Sequence, residues 1–455
     1  MYSNLPHKQS QKQSRLSIIL EMNKKSKFIS TIIETKLKNN LISIILEIYG
    51  GIQMNYIFRD RYIEKIKNFI DKPIVKILTG MRRVGKSTIL KTIKNDVLKD
   101  VPEENKIYMN FESFEYFEIN NASSLKEYLN EKLKDQKGKV YFFFDEIQLV
   151  EDWEKVINAL RVSFDSDIYI TGSNSKLISG DLATLLAGRY VEFEIQPFTF
   201  DEFSQINNKL NLSRDELFQK FIKIGGMPGL KYFKLEEEVS QKYLNDIYNT
   251  VLVKDVLNYN NIRDVDIFNR ILSFVMQNIG ATFSASAIKN YLKSENRNIS
   301  VDTVLNYLEY CNRAFVLKKV PRFDLEGKKL LKVDEKYYLT DHGFRQSMGF
   351  SNLKDIEKTL ENIVYIELIS RGYDVKIGKV KDREIDFVAK RGEIISYFQI
   401  SYLMENEKTR EREFGVYDLI KDNYPKYVLS MDKLDFSQKG IIHKNIIDFL
   451  LEGEK

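Results

Sequence analysis

The sequence predicts an α/β chain whose first half is a doubly wound sheet, followed by a helical segment, a module of three helices and a hairpin, and a second α/β domain. Three observations carry that expectation. Val75 to Leu90 reads as a short apolar run, a glycine-bounded loop and an amphipathic continuation. Lys139 to Ile147 is a strand-like run closed by the paired carboxylates Asp145 and Glu146. Around them, strand-like and helix-like segments alternate over roughly 120 residues, as right-handed crossovers require.

With 455 residues and 43% hydrophobic side chains, the chain has material for roughly two to four domains. Its one cysteine, Cys311, excludes an intramolecular disulfide framework, fits a reducing cytoplasm and reads as a small buried apolar residue. Segments such as Leu41 to Ile52, with Glu47 inside, are too short and too charged to span a bilayer. The short apolar run after Lys8, Lys12 and Arg15 is no secretory signal. A cytoplasmic protein without a membrane partner is expected. The net charge of +5 has a local origin: residues 1–53 hold eight Lys/Arg and three Asp/Glu, and the remainder holds 62 of each. Any case for nucleic acid must therefore rest on local patches.

Residues 1–53 are polar and without clear caps, and are expected to be a non-native or disordered extension. Gly50-Gly51-Ile52-Gln53-Met54 is encodable as a ribosome-binding sequence before an ATG, which would make Met54 the start; a genuine flexible or helical extension is the alternative. From Met54 the pattern is orderly. A helix is predicted over Arg61 to Ile70, then the strand and loop at Val75 with a helix to about Leu98, a strand at Ile107 to Phe111 and a helix at Leu125 to Leu133. The buried strand at Lys139 follows, then a helix at Trp153 to Val162 and a strand at Asp167 to Thr171.

The loop Gly80-Met81-Arg82-Arg83-Val84-Gly85-Lys86-Ser87 matches G-x-x-x-x-G-K-[ST] between a strand and a helix, which is the context that gives the pattern its meaning. The glycines let successive N–H groups from Gly80 to Thr88 face phosphate oxygens, and the helix adds its positive end. Lys86 would reach the β- and γ-phosphates of ATP, and Ser87 would offer its hydroxyl to Mg²⁺. Asp145 would complete the metal shell and Glu146 would orient or deprotonate the attacking water. Arg82 and Arg83 would face either the phosphates or a partner.

These residues, together with Ile170-Thr-Gly-Ser173-Asn174-Ser, Ala187-Gly-Arg189-Tyr and Gln196-Pro-Phe-Thr-Phe-Asp-Glu-Phe203, resemble the prokaryotic AAA-type P-loop ATPases related to the archaeal ATPase group. That family carries a C-terminal region of unknown function, which Gly225-Gly-Met-Pro228, Tyr337-Tyr-Leu-Thr-Asp-His-Gly-Phe344, Glu361-Asn362 and Glu384-Ile-Asp386-Phe also resemble. The resemblance runs from Met54 to the C-terminus. It implies that Ser173 or Asn174 senses the γ-phosphate and that Arg189 is an arginine finger or sensor, which would require a homo-oligomer if it serves a neighbouring subunit.

Beyond Gly229 a helical lid is expected to about Asn260. Helices at Asp264 to Gly280, Ser284 to Leu292 and Ser300 to Cys311, then strands at Phe315 to Arg322 and Lys329 to Leu339, follow the winged-helix order. The recognition-helix position carries Asp302 and Glu309, so DNA contact is assigned to the wing: Lys318, Lys319, Arg322, Lys328, Lys329 and Lys332. Protein contact is the alternative. The last segment reads as helix Ile356 to Ser370, three strands (Asp374 to Ile377, Glu384 to Ala389, Ile394 to Ile400), a helix and a strand at Tyr427 to Ser430. It resembles the PD-(D/E)xK restriction-nuclease core, with Glu361 or Glu367, Asp386 and Gln399 at acidic positions and Ser401 where the family lysine falls. Lost cleavage is expected unless a lysine such as Lys390 or Lys408 has migrated.

The resulting division is 1–53 extension, 54–205 ATPase core, 206–262 lid, 263–345 winged-helix-like module and 346–455 inactive nuclease-like domain. The expected activity is Mg²⁺-dependent ATP hydrolysis coupled to the C-terminal half. A nucleotide-switched regulator with negligible turnover is the second reading and an ATP-driven nuclease the third.

Overall fold

The computed structural model describes residues 57–172, 186 and 188–453, and the chain from Ile57 onward is one compact unit. Helix α1 (Asp60–Lys67) precedes strand β1 (Val75–Thr79), the glycine loop and helix α2 (Lys86–Thr92), which runs on as a π-helical turn over Ile93–Val97. Then come β2 (Lys106–Asn110), α3 (Ala122–Lys132), β3 (Val140–Asp145), α4 (Trp153–Ser163), β4 (Ser166–Thr171) and β5 (Tyr190–Glu194). They form a five-stranded parallel sheet in the order β2-β3-β4-β1-β5.

Strand periodicity explains the unbroken apolar run of β3. Phe142 and Phe144 join the core under α3 and α4, whereas Phe143 faces the opposite side, where it stacks on Tyr169 at 5.0 Å. The first core is local to this sheet. The second extends from Tyr62 to Leu450, and a third, smaller core gathers Val380, Tyr397, Phe414 and Val428.

Helices α5 (Phe200–Ile206), α6 (Arg214–Ile224) and α7 (Glu237–Val251) follow, and α7 continues as a π-helical turn, Leu252–Leu257. Next are α8 (Val265–Gln277), α9 (Ala285–Ser294) and α10 (Val301–Arg313), then the hairpin β6 (Leu317–Asp324) and β7 (Lys329–Leu339). After α11 (Gly343–Ser347) and α12 (Ile356–Ser370) come β8 (Asp374–Val380), β9 (Arg383–Arg391), β10 (Ile394–Ile400), α13 (Glu407–Gly415), β11 (Lys426–Ser430), β12 (Ile442–Asn445) and α14 (Ile446–Leu451).

The hairpin corrects the expected division. Three helices and two strands occur in the anticipated order, but β6 pairs in parallel with β8 through Arg322–Ile377 and its neighbours, so one seven-stranded sheet runs β12-β11-β10-β9-β8-β6-β7. A boundary at 345/346 would cut through that sheet. The register shifts between Val320 and Arg322, where Pro321 has no N–H to give the ladder. The predicted wing is therefore an integral sheet margin rather than a free arm.

Burial also revises the basic patch. Lys318 is buried and its ammonium is paired with Glu194 at the end of β5; Lys319 lies 3.0 Å from Glu335 and Arg322 3.6 Å from Glu384. Lys328 and Lys329, at the turn, are exposed. The side chain of Lys332 lies outside those described. A phosphate-binding wing of five or six cations is thereby reduced to its tip, because the other cations with described side chains already neutralise carboxylates. Cys311 is buried, as its sequence context predicts. No helix among the described residues is long and apolar enough to cross a membrane.

Candidate functional site

Because β4 lies between β3 and β1, the C-terminal ends of these three strands converge on the glycine loop. Gly80 has φ +127° and a Cβ there would sit 2.4 Å from the Ile195 carbonyl; Gly85 has φ +97°. Both positions therefore need glycine, for space at the first and backbone conformation at the second. Met81 and Val84 are buried in the core, so of these residues only the backbone faces the cradle, whereas Thr88 is exposed.

Lys86 is buried and donates to the carbonyls of Gly80 (3.0 Å) and Met81 (3.1 Å), with Glu146 Oε1 at 4.0 Å. Burial pushes its pKa below the ordinary lysine value, against the pull of Glu146 and Asp145. Asp145 is held by three hydroxyls: Ser87 at 2.9 Å, Thr171 at 2.5 Å and Tyr108 at 2.9 Å. Glu146 stands in the left-handed region (φ 55°), its N–H bound to Thr171 Oγ1 and its carboxylate accepting from Gln148 Nε2 at 2.6 Å. A hydroxyl beside a carboxylate at one end of a glycine cradle, with a buried ammonium at the other, fits a magnesium-bound polyphosphate by its donor chemistry.

Residues 72–204 match the family described as an AAA domain, and residues 215–356 match a domain of unknown function (DUF8612). An uncharacterized protein of Haemophilus influenzae is 36% identical over 400 residues, spanning 87% of this chain and 99% of that protein. Uncharacterized protein MJ1544 of Methanocaldococcus jannaschii is 33% identical over 80% of this chain and 82% of its own. The chain belongs to the same family as these two proteins, and its residues 72–204 carry the AAA domain. Among solved structures, the Walker-type ATPase PABY2304 of Pyrococcus abyssi matches 66% of this chain and 97% of its own at 16% identity, with a TM-score of 0.46.

Several residues that brace the AAA domain carry no sequence signal of their own. Arg59 is buried; it grips Glu202 through two bonds of 2.8 Å and donates to the carbonyls of Val84, Gln196 and Pro197. Glu202 also closes the capping box of α5 with Thr199, so the Gln196-to-Phe203 motif is a brace for the loop. Arg82, beside the cradle, is engaged by the segment that follows α7. Its guanidinium makes bonds of 2.9 and 3.1 Å to Asp255 on the π-helical turn after α7, with Glu112 at 3.7 Å. Burial raises the pKa of Asp255, and Arg82 opposes that rise. Of Arg82, expected to face either the phosphates or a partner, the structure shows a contact within its own chain, to the turn after α7. Arg83 is exposed and sits in the left-handed region beside Tyr243.

Arg189 is also displaced from its own site. It is exposed and precedes β5 where Val75 N donates to its carbonyl, at the start of β1 rather than the end. Four strand steps, roughly 13 Å, separate that level from the phosphate loop. The Arg189 backbone therefore stands at the far end of β1 from the phosphate loop. Ser173 and Asn174 lie outside the described residues.

The remaining motifs resolve into joints. The Asp341 carboxylate accepts from the N–H groups of Gly226 (2.8 Å) and Gly343 (2.7 Å), and a Cβ on Gly225 would fall 1.8 Å from its Oδ1. The Gly225–Pro228 turn and Asp341–Gly343 are thus two halves of one contact. His342 Nε2 lies 2.7 Å from the Phe221 carbonyl; burial lowers its pKa to about 4 and raises that of Asp341 to about 7. Asn362 bonds the N–H and carbonyl of Leu339 at 2.8 and 2.9 Å, tying α12 to β7.

A second polar cleft, of about 620 Å³, opens in the C-terminal sheet beside Glu361, Asp386 and Gln399. Asp386 Oδ2 accepts from Ile400 N at 2.7 Å, and Gln399 Oε1 accepts from Asp386 N. Ser401 Oγ is buried with no hydrogen-bond partner among the described residues. Lys408 reaches the cleft lining, whereas the close lysine is Lys336 of β7. Glu367, the other candidate on α12, is buried and bound to Arg61 and Arg371.

Proposed function

We propose that this protein binds ATP with Mg²⁺ and hydrolyses it, and that the lid transmits the nucleotide state to the C-terminal half. The observation that carries the proposal is the convergence of Lys86, Ser87, Asp145 and Glu146 on one glycine cradle. Lys86 would exchange its two loop carbonyls for β- and γ-phosphate oxygens, a stronger pairing because the acceptors carry full charge. Ser87 and Asp145 would hold Mg²⁺, which supplies charge neutralisation at the phosphates. Glu146 would direct the water. Arg82, clasped to Asp255 at the foot of the same cradle, would carry the change into α7 and the motifs packed against it.

The deciding experiment is phosphate release by the full chain with ATP and Mg²⁺, compared with Glu146→Gln and Lys86→Ala. ATP retained without turnover in Glu146→Gln, and not retained in Lys86→Ala, is the expected pair of results; wild-type turnover in Glu146→Gln overturns the roles. Rates that scale with protein concentration and fall in Arg189→Ala would support a finger acting between subunits.

One contact favours the switch reading. Gln148 holds the Glu146 carboxylate at 2.6 Å, so water activation would be gated until that bond opens. Gln148→Ala should then raise kcat; an unchanged or lower kcat argues against the gate. DNA contact would rest on Lys328 and Lys329, and charge reversal at these two should lower the salt slope of DNA binding by about two.

A further inference from the structure

We infer that Lys336 is a built-in cation: its ammonium sits between Glu361 and Glu384, in the field of Asp386, and balances the charge of the C-terminal cleft in place of a divalent metal. The inference uses the nuclease-like reading of β8 to β10 only for the expectation that a cation belongs there. Lys336 Nζ lies 2.9 Å from Glu361 Oε1 and 2.6 Å from Glu384 Oε1, and the side chain is only 5% exposed. Glu361 Oε1 also accepts from the Tyr338 hydroxyl. Asp386 Oδ2 is taken by the Ile400 N–H. One oxygen of each of the three carboxylates is thus already engaged: Glu361 Oε1, Glu384 Oε1 and Asp386 Oδ2. Among the described residues, no group of three or more His, Cys, Asp and Glu is placed to hold a metal ion.

The position of this ammonium is fixed by backbone as well as charge. Lys336 pairs with Val320 across the hairpin and forms an isolated bridge with Thr282. It comes from β7, outside the nuclease-like strands, which is why a search along β10 finds only Ser401. Burial works against a charged lysine, yet Glu361, Asp386 and Glu384 together hold its pKa above the ordinary value. Displacing a buried ammonium from two carboxylates would weaken any competing metal by roughly 10²- to 10³-fold.

The test titrates Mn²⁺ into the full chain without nucleotide, reading free Mn²⁺ by electron paramagnetic resonance and stability by thermal unfolding. Wild type and Asp386→Asn should bind the same amount of Mn²⁺. Lys336→Met should unfold at lower temperature, gain one Mn²⁺, recover stability as Mn²⁺ is added, and lose that gain in Lys336→Met/Asp386→Asn. Its ATP turnover should match wild type. A wild-type site that disappears in Asp386→Asn overturns the inference, as does a folded Lys336→Met that gains no ion. Mn²⁺-dependent DNA cleavage by wild type that is lost in Asp386→Asn overturns it too. If Lys336→Met does not fold even with Mn²⁺, the wild-type comparison with Asp386→Asn decides alone. That comparison is also independent of whether the phosphate loop turns over ATP.

Discussion

Two buried lysines, Lys86 and Lys336, each stand near carboxylates, and they differ in what holds them. Lys86 rests on two backbone carbonyls, with its nearest recorded carboxylate oxygen, on Glu146, at 4.0 Å. Lys336 is in direct contact with Glu361 and Glu384. Neutral acceptors each hold an ammonium by roughly 1.5–3 kcal/mol, whereas breaking a buried ion pair costs about 3–5 kcal/mol. The first lysine is available to an incoming anion, and the second is spoken for. A lysine near acids is therefore no sign of a working site until its partners are known.

The most severe way to break this comparison is to remove the available lysine. Lys86→Ala should lower ATP turnover by at least about 10²-fold, with loss of nucleotide retention in filter binding. Glu146→Gln should lower turnover as far while retention survives. Equal retention in the two variants would mean that Lys86 is not recruited by phosphate.

Next in size is the joint between the two halves. Gly225→Ala places a methyl on Asp341 Oδ1 in a left-handed backbone, and should cost about 4 kcal/mol in urea unfolding. Gly392→Ala, also left-handed but in open space, should cost about 1 kcal/mol. Similar losses at the two positions would show that the Asp341 contact does not constrain the turn.

A smaller effect is expected at the Arg82–Asp255 contact. Asp255→Asn keeps the shape but removes the charge that binds Arg82, and should cost about 1–3 kcal/mol. It should shift the KM for ATP more than kcat, because the contact lies beside the cradle rather than at the water. An unchanged KM would leave Arg82–Asp255 as packing alone.

A pH dependence is also expected. Asp341 has its pKa raised to about 7 from an unfolded value near 3.8, so its protonated form adds stability that is fully present below about 3.8 and lost as pH rises through about 7. His342, lowered to about 4, acts in the opposite sense and adds to the rise in stability between about 4 and 6.5. The stability difference between wild type and Asp341→Asn should therefore shrink steadily from pH 4 to pH 7. A flat difference in urea midpoints would show that Asp341 is ionised throughout.

How much of this was legible depended on range. Lys329–Leu339, Ile356–Ser370 and Ile394–Ile400 form where their own periodicity places them, because the signal for each is contained within the segment. The phosphate loop was equally legible, since its glycines and Lys86 are neighbours in sequence. The Arg59–Glu202, Arg82–Asp255 and Lys336–Glu361 contacts were not: each joins residues remote in sequence, and neither partner is unusual locally. The parallel pairing of β6 with β8 escaped for the same reason, as a hairpin reads the same whether it is a free wing or a sheet margin. Strand β12 and helix α14 were missed because Ile442–Asn445 is short and mixed in polarity, and its pairing with β11 supplies what its sequence lacks.

The merger of the hairpin with the C-terminal sheet also bears on how the chain is made. Lys336 leaves the ribosome about fifty residues before Asp386, a delay of roughly 3–10 s at ordinary elongation rates of about 5–20 residues per second. For most of that interval β6 lacks its parallel neighbour β8, and Lys336 lacks Glu361 for the first half of it and Glu384 until nearly its end. The nascent hairpin must wait with an unsealed edge and a hydrated charge. Folding of this part of the molecule is therefore timed by the arrival of β8 and β9.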